Sequence, residues 1–176
     1  KEVIPEDDLA LKVISTLPPP DRVLEIGCSN GWRLSLIRAI TGADCSGVDP
    51  SSAAIRAGRG VDLKVGTADK LPFTGKFDLV IFGFCLYLID RDDLWKVAAE
   101  VDRVLIDGGY LVIYDFAPDT PSRTPYKHRE GLYSYRMDYP GLFTANPAYR
   151  VRRVLAEDGL TAHVIHKSPK AAYREC

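Results

Sequence analysis

No two cysteines stand at CxxC spacing, and none of Cys28, Cys45, Cys85 and Cys176 has a companion histidine at metal-ligand spacing. That pattern argues against a zinc site or a disulfide scaffold and points to a reducing, cytoplasmic setting. No apolar run approaches the roughly 20 residues that cross a bilayer, so no membrane insertion is expected. The first eight residues, Lys1 to Asp8, are polar and acidic where a signal peptide would be apolar. Charge of one sign is also missing: 24 acidic side chains stand against 23 basic ones, for a net charge of −1. A broadly basic nucleic-acid surface is therefore not expected, and Arg150, Arg152 and Arg153 form the one basic cluster. There is no internal repeat and no low-complexity segment. What is there is 176 residues, enough for one domain and one core. A chain opening on Lys1 rather than Met is read as a piece of something longer.

The chain alternates strand and helix signals. Pro5 and the acids Glu6, Asp7 and Asp8 suit a helix N-terminus, and Leu9, Val13, Ile14 and Leu17 recur at helical spacing until Pro18-Pro19-Pro20. Arg22–Ile26 reads as a buried strand that breaks at Gly27, and a helix carries Trp32, Leu34, Leu36, Ile37 and Ile40 to Gly42. Further strands are expected at Cys45–Val48, Asp62–Val65, Phe77–Phe82 and Tyr110–Tyr114. Helices are expected after Ser51 and over Arg91–Leu105, with a turn at Asp107-Gly108-Gly109. Five strands alternating with helices imply an α/β fold: a doubly wound parallel sheet with right-handed crossovers. Prolines 118, 121 and 125 make a helix over Ala117–Arg129 improbable. Strands are then expected within Leu132–Tyr139, Tyr149–Leu155 and Thr161–His166. The division is an N-terminal helix in 1–20, a core over 21–116, and a lid with C-terminal strands over 117–176.

A parallel sheet binds ligands beyond the carboxyl ends of its strands. Three successive strand ends here carry suitable groups. After the first come Gly27 and Gly31, which permit a tight turn and a close backbone approach. The second ends in Asp49, a carboxylate able to accept from both hydroxyls of a ribose. The third leads to Asp69, which can accept from an exocyclic amine such as that of adenine. Each is weak alone, since turn glycines and strand-end caps are common. The G-x-G-x-x-G spacing of a dinucleotide site is absent, Ser29 standing at the middle glycine, and so is a phosphate-loop lysine. The ligand thus reads as a nucleoside without a pyrophosphate.

The run Val23-Leu24-Glu25-Ile26-Gly27-Cys28-Ser29-Asn30-Gly31 closely resembles the first motif of class I S-adenosylmethionine-dependent methyltransferases. Gly47-Val48-Asp49-Pro50 resembles the second, Gly66-Thr67-Ala68-Asp69-Lys70-Leu71-Pro72-Phe73 the third, and Phe77–Ile81 and Leu105–Leu111 the fourth and fifth strands. The resemblance covers about residues 20–116. It implies a Rossmann-like sheet of seven strands, mostly parallel, with the last antiparallel. It also implies S-adenosyl-L-methionine as cofactor, bound without metal. Gly27, Cys28, Ser29 and Gly31 would shape the loop under the methionine part, with Glu25 supporting it from the strand below. Asp49, beside Pro50, would hold the ribose, Asp69 the adenine amine, and Ala68 and Leu71 would line the ring. Gly83 and Phe84 would pass close to the sulfonium.

Methyl transfer from a sulfonium asks mainly for alignment, and for a base only when the acceptor is a hydroxyl or a cationic amine. Tyr87 stands where many small-molecule members of that family carry a histidine; it orients an acceptor or simply packs. Asp115, at the end of the fifth strand, takes a proton or caps the next segment. His128, in a charged stretch rich in proline, belongs to a lid or to the surface, while His163 and His166 read as solvated surface. Tyr126, Tyr133, Tyr135 and Tyr139, interleaved with Arg129 and Arg136, would contact a sugar, aromatic or phosphate acceptor, bury themselves along an edge strand, or form a dimer interface.

The leading expectation is methylation of an oxygen or nitrogen on a small-molecule acceptor. A non-catalytic cofactor-binding module is the alternative, and an NAD-dependent oxidoreductase is disfavoured by Ser29. Base methylation of DNA is disfavoured because Gly83-Phe84-Cys85-Leu86 stands where amino-methyltransferases carry a Pro-Pro motif, and no Pro-Cys pair occurs. With no long cap over the crevice, the acceptor is large, or a second copy or neighbouring domain closes the site.

Overall fold

In the computed structural model, residues 8–58 and 60–169 are described. The expectations for Pro5, Glu6, Asp7 and Cys176 fall outside them. The centre of the molecule is strand β1, Arg22–Ile26, buried along its last four residues. Alternate side chains of a strand point to opposite faces, so a strand apolar throughout must be covered on both. Leu24 and Ile26 pack on one side with Val97, Val101 and Val104 of helix α4, Leu94–Val104. Val23 packs on the other with Leu9 and Val13 of α1, Leu9–Ile14, and with Leu34 and Ile37 of α2, Trp32–Thr41.

The remaining strands extend this plan. Asp44–Asp49 (β2) and Asp62–Val65 (β3) lie to one side of β1, with the short helix α3, Ser52–Ala57, between them in sequence. Phe77–Gly83 (β4) and Leu105–Phe116 (β5) lie to the other. The chain then forms a hairpin of Ser122–Pro125 (β6) and Tyr133–Arg136 (β7), a short helix Pro140–Thr144 (α5), and strands Tyr149–Glu157 (β8) and Leu160–Lys167 (β9). The seven-stranded sheet runs β3-β2-β1-β4-β5-β9-β8. Pairing is parallel through β5 and antiparallel on both sides of β9, so the last strand runs against the rest, as the resemblance implied. The strand order reverses beside β1, which opens a crevice above its carboxyl end. Among the described residues, no helix is long and apolar enough to cross a membrane.

Several expectations are corrected. Arg91–Asp93 is a 3-10 turn, opened by Asp90, whose side chain accepts from Asp92 N, and α4 proper starts at Leu94. Asp107-Gly108-Gly109 is not a turn between elements but the irregular start of β5. There the register on β4 jumps from Phe77↔Leu105 to Leu79↔Tyr110, and Gly108 takes a φ of 85°. Within Ala117–Arg129, β6 forms despite Pro125, since an unpaired outer edge tolerates a missing donor. The strand expected over Leu132–Tyr139 keeps only four residues, and α5 was not foreseen. In β7 it is Ser134 that is buried, with Tyr133 and Tyr135 left half-exposed. His163 and His166 are half-buried rather than solvated, because β9 lies inside the sheet between β5 and β8; burial lowers the pKa of both.

Candidate functional site

The crevice is a cavity of about 820 Å³ at the carboxyl ends of β1, β2, β4 and β5. Its floor is the loop after β1. Gly27 and Gly31 both sit at φ 75°, and Ser29 adopts φ 51° between them. Gly27 and Cys28 donate their N–H groups to the Val48 carbonyl at 2.9 and 3.1 Å, tying the loop to β2. A Cβ added at Gly27 would collide with the Cys85 side chain, so this glycine is required twice over.

Asp49 projects from the end of β2. Its Oδ2 accepts from Ser29 N at 2.9 Å and its Oδ1 from Ser51 N at 2.8 Å. Both oxygens are thereby fixed in place while each keeps a lone pair for a ligand hydroxyl. Pro50, Ala68 and Asp69 continue the wall, as do Gly83 and Phe84 at the end of β4. Phe84 holds φ 63°, a left-handed conformation uncommon outside glycine, and donates its N–H to Tyr114 O at 3.0 Å. Cys28 and Cys85 also face the cavity, but burial pushes the Cys28 thiol up to about 12 and the Cys85 thiol well above its usual range. Neither is a ready nucleophile.

Of the residues expected to bind the cofactor, Glu25, Gly31 and Leu71 lie off the cavity surface. Gly31 caps α2 behind the loop. Leu71 is a correction: it is 5% exposed in the core, where Glu100 accepts its N–H at 2.7 Å, so it does not line a ligand ring. Its loop is fastened to α4, which turns the side chain inward.

Glu25, two positions before Gly27, is fully buried beside Gly83. Arg33, on the first turn of α2, binds it through Nη1 and grips Asp8 with Nε and Nη2 at 3.2 and 2.7 Å. Asp8 in turn caps α1 by accepting from Leu11 N at 2.8 Å. Two carboxylates share one guanidinium, and Glu25 Oε2 is buried with no partner among the described residues. Desolvation, partly offset by Arg33, raises Glu25 from 4.5 to about 7. Asp8 and Arg33 both line the cavity, yet neither was identified as a site residue from the sequence. The available signal was a pair of opposite charges, Glu25 and Arg33, inside otherwise apolar elements.

Tyr87, on a 3-10 turn over Leu86–Leu88, lines the far end of the cavity. Its ring lies 5.0 Å from Phe84 and 6.3 Å from Tyr126, and burial beside Tyr126 raises its hydroxyl pKa, so it is held protonated. Tyr126, one of the tyrosines considered for the acceptor, also faces the cavity, as do Trp32, Tyr114 and Asp90, which were not singled out from spacing. Asp115 is 2% exposed and does not line it. Its carboxylate accepts from Tyr87 N at 3.2 Å and Phe116 N at 2.8 Å, fixing the turn that presents Tyr87, and burial raises it to about 6. His128 is exposed and off the cavity, its ring 5.3 Å from Tyr126. Arg129 and Arg136 lie off it too, Arg136 covering the Phe116 ring at 3.9 Å.

A family profile described as "Methyltransferase domain" matches residues 24–113. A curated relative from Desulfotalea psychrophila, named ubiquinone/menaquinone biosynthesis C-methyltransferase, is 37% identical over 109 residues, 57% of this chain and 44% of that protein. The ribosomal protein L11 methyltransferase of Geobacter sulfurreducens is 31% identical over 62% of this chain and 37% of its own length. The matches thus span about two fifths of these relatives. Among solved structures, the 1,6-didemethyltoxoflavin N1-methyltransferase of Burkholderia thailandensis, holding its substrate and S-adenosylhomocysteine, superposes with a TM-score of 0.72. It is 18% identical and is covered over 91% of this chain and 76% of that one. The amino pentose methyltransferase CalS10 of Micromonospora echinaspora gives 0.71 at 15% identity, over 91% and 89% of the two chains.

Proposed function

The chain belongs to the S-adenosylmethionine-dependent methyltransferase family, and from that premise we propose that it moves the methyl group to an oxygen or nitrogen of a small-molecule acceptor. The observation that carries this reading is the single cavity in which the Gly27–Gly31 loop, Asp49 and Asp69 meet the aromatic end at Phe84 and Tyr87. Its volume suits a nucleoside cofactor with a modest acceptor beside it.

The residues present fit that cofactor. Asp49, already oriented by two backbone N–H groups, takes the ribose hydroxyls, and Asp69 takes the adenine amine. Glu25 Oε2, buried with no partner among the described residues two positions before Gly27, is an acceptor left over at the methionine end of the site. When bound, S-adenosylmethionine supplies an activated methyl group on a sulfonium. The chain's own task is alignment: Phe84 and Tyr87 wall the reacting end, exclude water and hold the acceptor in line. Asp115 acts by fixing the turn that carries Tyr87, and His128 is set aside as surface. The whole chain works as one domain in the cytoplasm, where its thiols stay reduced, without nucleic acid; a second copy or a neighbouring domain completes the acceptor side.

A carbon acceptor is the second reading, because the relative at 37% identity is named a C-methyltransferase. Incubation with methyl-labelled S-adenosylmethionine and pools of small acceptors tests the proposal, the label being located on oxygen, nitrogen or carbon in the product. Label on carbon would replace the reading with the second one. Cofactor binding with no transfer to any pool would make the chain a non-catalytic binding module.

A further inference from the structure

The acceptor end of the cavity has a definite chemical character. Its walls are aromatic: Trp32, Phe84, Tyr87, Tyr114 and Tyr126 all face it, with Phe84 at ring distances of 5.0 Å from Tyr87 and 5.5 Å from Tyr114. Its ionised groups are one-sided. Besides Asp49 and Asp69, which face the cofactor, Asp8, Asp90 and Asp93 line the cavity, and Arg33 is the one cation among the described lining residues. That guanidinium is committed to Asp8 and Glu25, and Lys96 meets Asp93 at 2.7 Å from outside the lining. The hairpin arginines do not compensate: Arg123 lies 3.5 Å from the Tyr133 ring and Arg136 3.9 Å from Phe116, both off the cavity. Among the described residues nothing here is placed to receive a phosphate or carboxylate, whereas aromatic faces and carboxylates together attract a cation.

The chemistry of transfer selects further. No histidine lines the cavity, the Tyr87 hydroxyl is held protonated, and Asp115 is turned away. A hydroxyl acceptor would need a base to take its proton. An amine drawn in as its ammonium gives that proton to water before transfer, and in the neutral form so produced it needs none. Its nitrogen lone pair forms the bond to the methyl carbon as the carbon–sulfur bond breaks, the bonding pair stays on sulfur, and the positive charge passes to nitrogen. The charge therefore remains inside the acidic, aromatic chamber, and the extra proton leaves later to water.

We propose that the acceptor is an amine carried on a flat or aromatic frame, methylated on nitrogen, with Tyr126 of the β6–β7 hairpin as the wall that selects it. This rests on the methyltransferase reading and narrows it. Tyr126 is placed for the role because its N–H, donating to Leu132 O at 2.8 Å, closes the hairpin loop, while Tyr135 OH donates to Asp90 Oδ2 at 3.3 Å and holds β7 against the rim.

The test uses the chain saturated with S-adenosylhomocysteine and titrated with three probes of matched size: 2-phenylethylamine, 2-phenylethanol and phenylacetate. The amine is expected to bind about tenfold tighter than either other probe, and Tyr126→Ala to remove most of that preference. Tyr126→Phe should keep it, and S-adenosylhomocysteine affinity should stay within about twofold in both variants. Phenylacetate or the alcohol binding as well as the amine, or no binding of the amine to the loaded chain, would overturn the proposal while leaving the methyltransferase reading intact. Failure of S-adenosylhomocysteine itself to bind would overturn both.

Discussion

Asp49 and Glu25 are both carboxylates at strand ends, but their surroundings give them opposite tasks. Asp49 is open to the cavity and held by Ser29 N and Ser51 N, so it is preorganised as an acceptor for hydroxyls. Asp49→Ala should weaken S-adenosylhomocysteine by about 2–3 kcal/mol, the loss of charge-assisted hydrogen bonds, as calorimetry would show. Glu25 is buried, with a pKa raised from 4.5 to about 7. The folded chain then holds more protons than the unfolded chain between those values. Glu25 therefore makes stability fall as pH rises from about 4.5 to 7, with no further change above. In Glu25→Gln that contribution disappears, so the stability of the native sequence relative to the variant should drop by about 3 kcal/mol across the window, measured by urea unfolding at successive pH values. Asp49, Asp69 and the two glycines were legible in the sequence because spacing alone puts them at strand ends. Arg33 and Asp8 were not, since their pairing joins positions 25 residues apart that only the fold brings together. Leu71 was misplaced for a related reason: spacing gives a residue's place along the chain, not the direction of its side chain.

The short helix α1 is joined to the site through its cap. Asp8 accepts from Leu11 N and forms a two-pronged pair with Arg33, 0% and 5% exposed respectively. Asp8→Ala removes the cap and one partner of a buried ion pair together. It should destabilise the chain by about 3–5 kcal/mol in denaturant unfolding, and by more than Asp8→Asn, which retains an acceptor. The loop after β1 is equally exacting. Gly27→Ala would place a methyl group on Cys85 at a φ of 75°, so it should both lower the melting temperature and abolish S-adenosylhomocysteine binding. The elements from β1 to β4 could be read because each is short, apolar and bounded by Gly, Pro or Asp. Strand β6 and α5 could not, and β7 was expected only somewhere within Leu132–Tyr139. Their residues are mostly polar or aromatic, and what orders them is contact with the turn at Leu86–Leu88 and with α4 rather than local periodicity.

At the scale of the whole molecule, the sheet separates two jobs. In the proposed function, the ends of β1, β2 and β3 would present the cofactor half of the cavity, and β4, β5 and the β6–β7 hairpin the acceptor half. The methyltransferase profile matches residues 24–113, from β1 into β5, where the motifs follow one another in order. The acceptor half is built from tyrosines and aspartates whose meaning appears only when the chain has folded around them. The central claim is that this cavity is made for S-adenosylmethionine, and the most direct test is calorimetric titration of the purified chain with S-adenosylhomocysteine, with NADH in parallel. Micromolar, one-to-one binding of S-adenosylhomocysteine and no heat from NADH is the predicted result; binding of NADH alone, or of neither, would contradict it.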